Sequence, residues 1–434
     1  MIVSSEIARM FKQKPSLDTK IIEILSAESP QLLEEMEKQC LLMPANISEF
    51  DELEGVRQHL KHSPIGILYL ILTDFCNIAC RYCYFEGTIP KEHKFSKMDE
   101  STARRGVDLF ASIMPRSFEH GLEEPQIIFY GGEPFHNWKV MRSTVEYIGY
   151  LMEKKKLPSN TSVTINTNGI LITEEITEFL RQFPFLTLAV SVDGPKAIHD
   201  IQRVDRRGSG TFERVQRSIK LLRQKGINIG ISCTLTDSNI DHAEEILKWL
   251  KDAFGVSSVG FNILMGAPVK ELTDRQSYAE KTATKLISCF LVARNEGIYE
   301  DRIMRKVNSF VEGKIHFYDC GGCGQQIVIS PDGRIGVCQA YCNTEKYFAP
   351  LTDNFDLETH PFWQEWKSRS PLNMPQCIDC VALGNCGGGC PYSAEINGGS
   401  IWSLDETFCV FSKKAIVFLV KELVRQVSGK TSLS

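Results

Sequence analysis

The chain has 434 residues, 43% of them hydrophobic and 24% charged, with a formal net charge of -5. That length allows two or three domains of ordinary size, and the composition is that of a globular chain able to bury a sizeable core. No block of five like charges forms a nucleic-acid footprint and no run approaches the ~18 apolar residues of a membrane span. Met1-Ile2-Val3-Ser4-Ser5-Glu6 also lacks the basic-then-apolar order of a secretory signal, so the expected location is cytoplasmic.

Residues 1–62 read as helical and turn segments, amphipathic over 21–25 and 32–42, with 39–44 compatible with a strand. From Ile65 strands and helices alternate. Strands are expected over 67–72, 126–130, 162–166, 187–192, 227–234 and 258–263. Helices are expected over 101–114, 140–154, 174–181, 212–225 and 241–253, the third capped by Thr173 and the fourth stopped at Gly226. Strands separated by helices imply parallel pairing with right-handed crossovers, and strands rich in Ile, Val and Leu suit a sheet covered by helices. The fold class is α/β, with a partial (β/α)6 TIM-like barrel over 63–270, in which chemistry sits on loops after the strands. Residues 271–312 connect it, mainly by helix, to a Gly-, Cys- and Pro-rich domain over 313–427 that ends in a helix from 407.

Fifteen cysteines are the unusual feature. In a long chain without an export signal they point to metal rather than disulfides. Twelve fall in two groups, while Cys40, Cys233 and Cys289 are scattered as core residues are. The first group, Cys76-Asn77-Ile78-Ala79-Cys80-Arg81-Tyr82-Cys83, follows the first strand. Three thiolates on one short loop can ligate three irons of a 4Fe–4S cube and leave the fourth iron open. A structural zinc site is the alternative, but it needs four ligands, and only His93 lies near as a fourth.

Three further motifs follow later strands: Gly131-Gly132-Glu133-Pro134, then Asn166-Thr167-Asn168-Gly169, then Ser191-Val192-Asp193-Gly194-Pro195 with His199, Asp200 and Arg203. In this order after the Cys loop they resemble the radical S-adenosylmethionine (SAM) superfamily, over residues 65–265. The resemblance implies that SAM chelates the open iron through its amino and carboxylate groups. Reduction then yields methionine and a 5′-deoxyadenosyl radical that takes hydrogen from substrate. It further implies that Gly131 and Gly132 offer backbone carbonyls to the SAM amino group and that Glu133 supplies negative charge. Ser191 and Arg203 would contact the SAM carboxylate and ribose, an Arg being suited to bidentate pairing with a carboxylate; a surface salt bridge is the other reading of Arg203. Tyr82 and Tyr84 contact adenine or pack in the core, and the Asn-Gly turn shapes the pocket floor or is only a turn.

The second group runs Cys320, Cys323, nine residues, Gly333, four residues, Cys338; then Cys377, Cys380, Cys386 and Cys390; then, after eighteen intervening residues, Cys409. From Cys323 onward it resembles the seven-cysteine SPASM pattern, with zinc ribbons as the alternative. The resemblance implies two auxiliary 4Fe–4S clusters with crossed ligation, one on Cys320, Cys323, Cys338 and Cys390, the other on Cys377, Cys380, Cys386 and Cys409. Metal would then stabilise a segment with little regular structure. Cys342 could take the place of Cys320, or the first auxiliary cluster could keep an open iron.

SPASM proteins resembling this chain mature peptides and proteins. The expected function is a radical SAM oxidoreductase that oxidatively modifies a peptide or protein, with crosslinking of a ribosomally made peptide preferred. The partners implied are that substrate and a flavodoxin- or ferredoxin-type electron donor. Formylglycine formation, as in anaerobic sulfatase maturases, is the alternative. Those enzymes carry an Asp after the cysteine that ends GxxxxC, where this chain has Gln339, unless Asp319 or Asp353 substitutes in space. A non-catalytic iron–sulfur carrier is the reading from another class, and it leaves the SAM motifs without purpose. Residues 1–62 are either a leader-peptide recognition element working by strand addition or a cover for the barrel.

Overall fold

The computed structural model describes residues 54–57, 60, 64–89, 92–266, 272–352 and 355–428. The expectations for 1–53, including Cys40 and the strand at 39–44, and for Asp353 lie outside the described residues. Among the described residues there are twelve strands: β1 (Ile67–Thr73), β2 (Ile78–Cys80), β3 (Gln126–Gly131), β4 (Ser162–Thr167), β5 (Leu186–Ser191), β6 (Arg203–Asp205), β7 (Ile229–Thr234), β8 (Ser258–Asn262), β9 (Tyr299–Glu300), β10 (Gln326–Ile329), β11 (Arg334–Gly336) and β12 (Phe348–Pro350). The helices are α1 (Glu100–Glu119), α2 (Trp138–Glu153), α3 (Glu174–Leu180), α4 (Lys196–Gln202), α5 (Phe212–Gln224), α6 (Ala243–Phe254), α7 (Arg275–Glu296), α8 (Asp301–Val311), α9 (Pro361–Ser368), α10 (Leu383–Cys386), α11 (Pro391–Gly398) and α12 (Glu406–Ser428).

The main sheet has the order β12-β11-β10-β1-β3-β4-β5-β7-β8-β9. From β10 to β9 every pairing is parallel, and β11 and β12 add antiparallel. All six expected barrel strands are present. The sheet is longer than expected at both ends, because β10 lies within the Cys-rich stretch yet pairs with β1 from Ile67↔Gln326 to Leu70↔Ile329. Its ends do not pair with each other, so the barrel is open.

The strands are not apolar on both faces. In β4, Val163, Ile165 and Thr167 are buried while Ser162, Thr164 and Asn166 are half-buried, and β5, β7 and β8 repeat the alternation. The buried face packs on helices. The other face is small and polar: a Cβ placed on Gly230 or Gly260 would meet nothing nearer than 3.9 and 4.0 Å. A closed barrel fills its centre with bulky branched side chains; this one keeps a lumen.

Local signals explain the covering helices. Thr173 caps α3 as expected, and Asp99 caps α1, each accepting from the backbone three residues on. Helix α1 runs through Pro115 to Glu119 rather than stopping at 114. Helix α12 lies along α7, joined by the Phe290–Phe418 ring contact and the Arg294–Glu422 ion pair at 3.0 Å. Among the described residues no helix is long and apolar enough to cross a membrane.

Candidate active site

The Cys76–Cys83 loop leaves the C-terminal end of β1, and the Gly-Gly-Glu motif holds it. Gly132 N donates to Thr73 O and Glu133 N to Phe75 O, both at 2.9 Å. A Cβ on Gly132 would lie 2.3 Å from the Phe75 backbone; one on Gly131, at φ +138°, would lie 2.2 Å from Thr73 O. Close backbone approach thus accounts for both glycines. Asp74 fastens the loop's start, accepting from Ser96 N at 2.8 Å and meeting His93 Nε2 at 2.7 Å. The ring that could have completed a zinc site is therefore engaged with Asp74. Among the described residues no three His, Cys, Asp or Glu side chains converge as they would around a single metal ion.

Glu133 is fully buried and turned toward the Asn-Gly turn. Its Oε1 accepts from Thr167 Oγ1 at 2.8 Å and from Phe135 N at 3.2 Å, and Oε2 accepts from Asn168 N at 2.8 Å. Burial raises its carboxyl to about 7 against these bonds. Asn168 in turn donates to Asn77 Oδ1 at 2.8 Å and lies 3.7 Å from Cys76 Sγ. Two motifs that the sequence shows separately form one support under Cys76. Ser191 ends β5, half-buried and in register with Ser232 on the lumen side.

The other side of the loop is held by a ribbon that sequence reading missed. Strands β2 and β6 pair antiparallel, with Cys80 opposite Arg203. Arg203 is 7% exposed and forms an ion pair with Asp193 at 2.9 Å, so it is no surface bridge. Its guanidinium lies 3.7 Å from Cys80 Sγ and over the Tyr82 ring. Tyr82 donates to Asp193 Oδ2 at 2.6 Å. Burial pushes the Cys80 thiol up to about 12, and Arg203 pulls against that. A cation beside the sulfur favours the thiolate that metal ligation requires.

Asp193 is the centre of this arrangement. Its Oδ1 accepts from Thr234 N at 3.0 Å and its carbonyl from Asn239 Nδ2 at 3.1 Å. Asp193 N donates to His199 Nδ1, Thr211 Oγ1 donates to Arg203 O, and His199 Nε2 lies 3.0 Å from that hydroxyl. These bonds select the neutral Nε2–H tautomer, and burial lowers His199 to about 4. Asp200 accepts from Thr211 N and Phe212 N, both at 2.8 Å, at the start of α5. His199 and Asp200 are thus scaffold for Arg203.

In the second group, Cys320 and Cys323 precede β10 and Cys338 follows β11, beside the N-terminal end of β1, where Gly66 N donates to Gln325 O. The thiols fall into two electrostatic neighbourhoods. Cys338 feels Cys320, Cys390 and Cys323, and Cys323 feels Cys390. Cys377 feels Cys386 and Cys380, and Cys409 feels Cys386 and Cys377. Cys342 sits instead near Asp332, Arg334 and Asp74.

Three successive left-handed glycines, Gly387, Gly388 and Gly389, turn the chain between Cys386 and Cys390. A Cβ on Gly387 would lie 2.4 Å from Asp319 N. Buried Arg369 donates to the carbonyls of Ile401, Gly388 and Ser403, and Cys390 N donates to Asp405 Oδ2 at 3.0 Å. Buried Lys306 donates to Cys386 O at 2.6 Å and to Asp319 Oδ1 at 3.0 Å. Burial alone would raise Asp319, but Lys306, Arg305, His316 and Arg302 hold its carboxyl well below the usual range. Asp319 is consumed by structure. Gln339 accepts from Gln326 Nε2 at 3.3 Å.

Comparison with known proteins agrees with this geometry. The Radical SAM superfamily model matches residues 70–250. The chain is 24% identical over 393 residues to the radical SAM cyclopropyl synthase TigE of Paramaledivibacter caminithermalis, covering 86% of this chain and 79% of that one. It is 25% identical over 350 residues to a cysteine-type anaerobic sulfatase-maturating enzyme of Clostridium perfringens, covering 75% and 89%. Its fold resembles native anSMEcpe with bound AdoMet (TM-score 0.65, 20% identity, 85% and 100% covered). It also resembles Streptococcus suis SuiB bound to precursor peptide SuiA (TM-score 0.57, 17% identity, 93% and 89% covered). Over residues 70–250 the chain carries a radical SAM domain, and along most of its length it is similar to a radical SAM cyclopropyl synthase and to sulfatase-maturating enzymes.

Proposed function

We propose that the protein removes two hydrogens from a peptide, with bond formation within a ribosomally made peptide as the outcome. Cys76, Cys80 and Cys83 would hold the SAM-binding 4Fe–4S cluster. Cys320, Cys323, Cys338 and Cys390 would hold one auxiliary cluster, and Cys377, Cys380, Cys386 and Cys409 the other. The donor sets fit: soft thiols are grouped by threes and fours, and buried cations stand beside Cys80 and Cys323. When bound, the first cluster supplies the electron that splits SAM into methionine and a 5′-deoxyadenosyl radical, and the auxiliary clusters can accept the electron the substrate gives up. The chain's own part is to hold Cys80 through Arg203 and Asp193, to hold Cys76 through Asn168, and to keep a polar lumen for SAM and substrate.

The observation that carries bond formation over formylglycine formation is the chemistry beside Cys338. Gln339 stands where a carboxylate base would, and Asp319 is tied up by four basic side chains. TigE is named as a cyclopropyl synthase and SuiB was solved with its precursor peptide, and both support this reading. Similarity to sulfatase-maturating enzymes supports formylglycine formation as the second reading. We place the protein in a reducing cytoplasm, served by a flavodoxin or ferredoxin.

The test is anaerobic reconstitution with iron and sulfide, followed by SAM, reductant and the small peptides encoded beside the gene. A mass loss of two hydrogens supports the proposal. A cysteine converted to an aldehyde supports the second reading. No SAM cleavage, with cleavage equally absent in Cys83→Ala, would leave an iron–sulfur carrier.

A further inference from the structure

Strand β1 spans about 20 Å at the usual rise per residue, with Cys76 beyond one end and Cys320, Cys323 and Cys338 beside the other. Between the two thiol groups stand phenols. Tyr84 and Tyr130 meet hydroxyl to hydroxyl at 2.9 Å, and the Tyr69 ring meets Tyr130 edge-on at 5.9 Å. Tyr130 feels both Cys83 and Cys338, which places it between the groups. Tyr69, Tyr84 and Tyr130 are only half-buried although strands and the Cys-rich segment enclose them, so they border the lumen.

Hydrogen bonding leaves this wall with something to give. In a pair of hydroxyls one O–H is donated within the pair, and the other remains. No described residue accepts that second proton, and none partners the Tyr69 hydroxyl. Burial pushes Tyr130 up to about 12, so it stays a donor at neutral pH. The lumen-face side chains of β4, β5, β7 and β8, Thr164, Asn166, Ser191, Ser232 and Asn262, are neutral, the Arg203 charge is spent on Asp193, and Arg305, whose charge reaches Tyr69, pairs with Asp301 and Asp319. A neutral donor on a wall whose nearby charges are already paired suits a neutral acceptor, and on a peptide that is a backbone carbonyl.

We infer that the Tyr84–Tyr130 hydroxyl pair binds the peptide substrate, donating its uncommitted O–H to a backbone carbonyl flanking the carbon that loses hydrogen. This rests on the peptide-oxidising reading above. The bond fixes the target residue between the two thiol groups and selects a peptide by its backbone at that point, with an uncharged side chain in the lumen.

The probe is whichever neighbouring-gene peptide the wild-type protein modifies, fluorescently labelled, together with two analogues in which one carbonyl flanking the target residue is reduced to methylene. Binding to the reconstituted protein with SAM and no reductant is read by anisotropy; iron content and SAM affinity are measured alongside. Tyr130→Phe and Tyr84→Phe each keep the ring, and the one that removes the uncommitted O–H should weaken binding about tenfold, the worth of one hydrogen bond, raising KM rather than lowering kcat. One analogue should bind wild type and that variant equally. If that variant loads no iron, the analogues alone decide: wild type should bind one of them about tenfold more weakly than the parent peptide. Unchanged binding by both variants, or a loss that persists with both analogues, overturns the inference and leaves peptide oxidation standing. Modification of no peptide by wild type overturns both.

Discussion

Arg203 and Cys80 face each other across the β2–β6 ribbon, with the guanidinium 3.7 Å from the sulfur and its charge balanced by Asp193. The ribbon joins the cysteine loop to the end of β5, so the loop's geometry depends on a buried ion pair ten residues wide in sequence.

Removing one partner of that pair leaves the other charge buried alone. Asp193→Asn should destabilise the protein by about 3–5 kcal/mol and lower its iron content. Thermal unfolding and iron analysis check this, and a variant as stable as wild type would show that the pair is not buried as described.

The Cys loop needs the bare backbone of Gly132. Gly132→Ala sets a Cβ against the Phe75 backbone and should cost about one cluster, four irons per chain. Gly87→Ala, where nothing lies within 4 Å of the added carbon, should retain full iron. Equal iron in the two variants would contradict the role given to the motif.

The thiol neighbourhoods separate Cys320 from Cys342. Cys320→Ala should change the paramagnetic resonance signal of an auxiliary cluster and lower its iron, and Cys342→Ala should leave both as in wild type. The reverse result would return Cys342 to the ligand set.

His199 gives a pH signature. Its folded value, about 4, lies below the ordinary 6.5, so the unfolded chain binds the proton more readily. The neutral ring's stability is present above 6.5 and is lost as pH falls toward 4, by about 3 kcal/mol in all. Urea unfolding of the reconstituted protein between pH 4 and 7 should show that slope, and His199→Gln should flatten it. An unchanged slope would place the titrating group elsewhere.

Much of this was legible in the sequence because the signals are local. Apolar runs separated by amphipathic helices mark six barrel strands, and cysteine spacing marks the two thiol groups. Strands β10–β12 were hidden because three or four residues in a Gly- and Cys-rich stretch carry no period, and only the pairing of β10 to β1, β11 to β10 and β12 to β11 makes them strands. The lumen was hidden because Gly230 and Gly260 look like breaks in an apolar strand until the alternation of burial shows which face they occupy. The Arg203 motif points to SAM in the sequence, and its ion pair with Asp193 is local, but its contacts with Tyr82 and Cys80 join chain segments more than a hundred residues apart.

The most direct test of the central claim follows hydrogen from peptide to cofactor. A neighbouring-gene peptide, deuterated on its side-chain carbons, is incubated with the reconstituted protein, SAM and reductant. The account expects deuterium in 5′-deoxyadenosine and a peptide lighter by that deuterium and one further hydrogen. Unlabelled deoxyadenosine beside an unchanged peptide would contradict it.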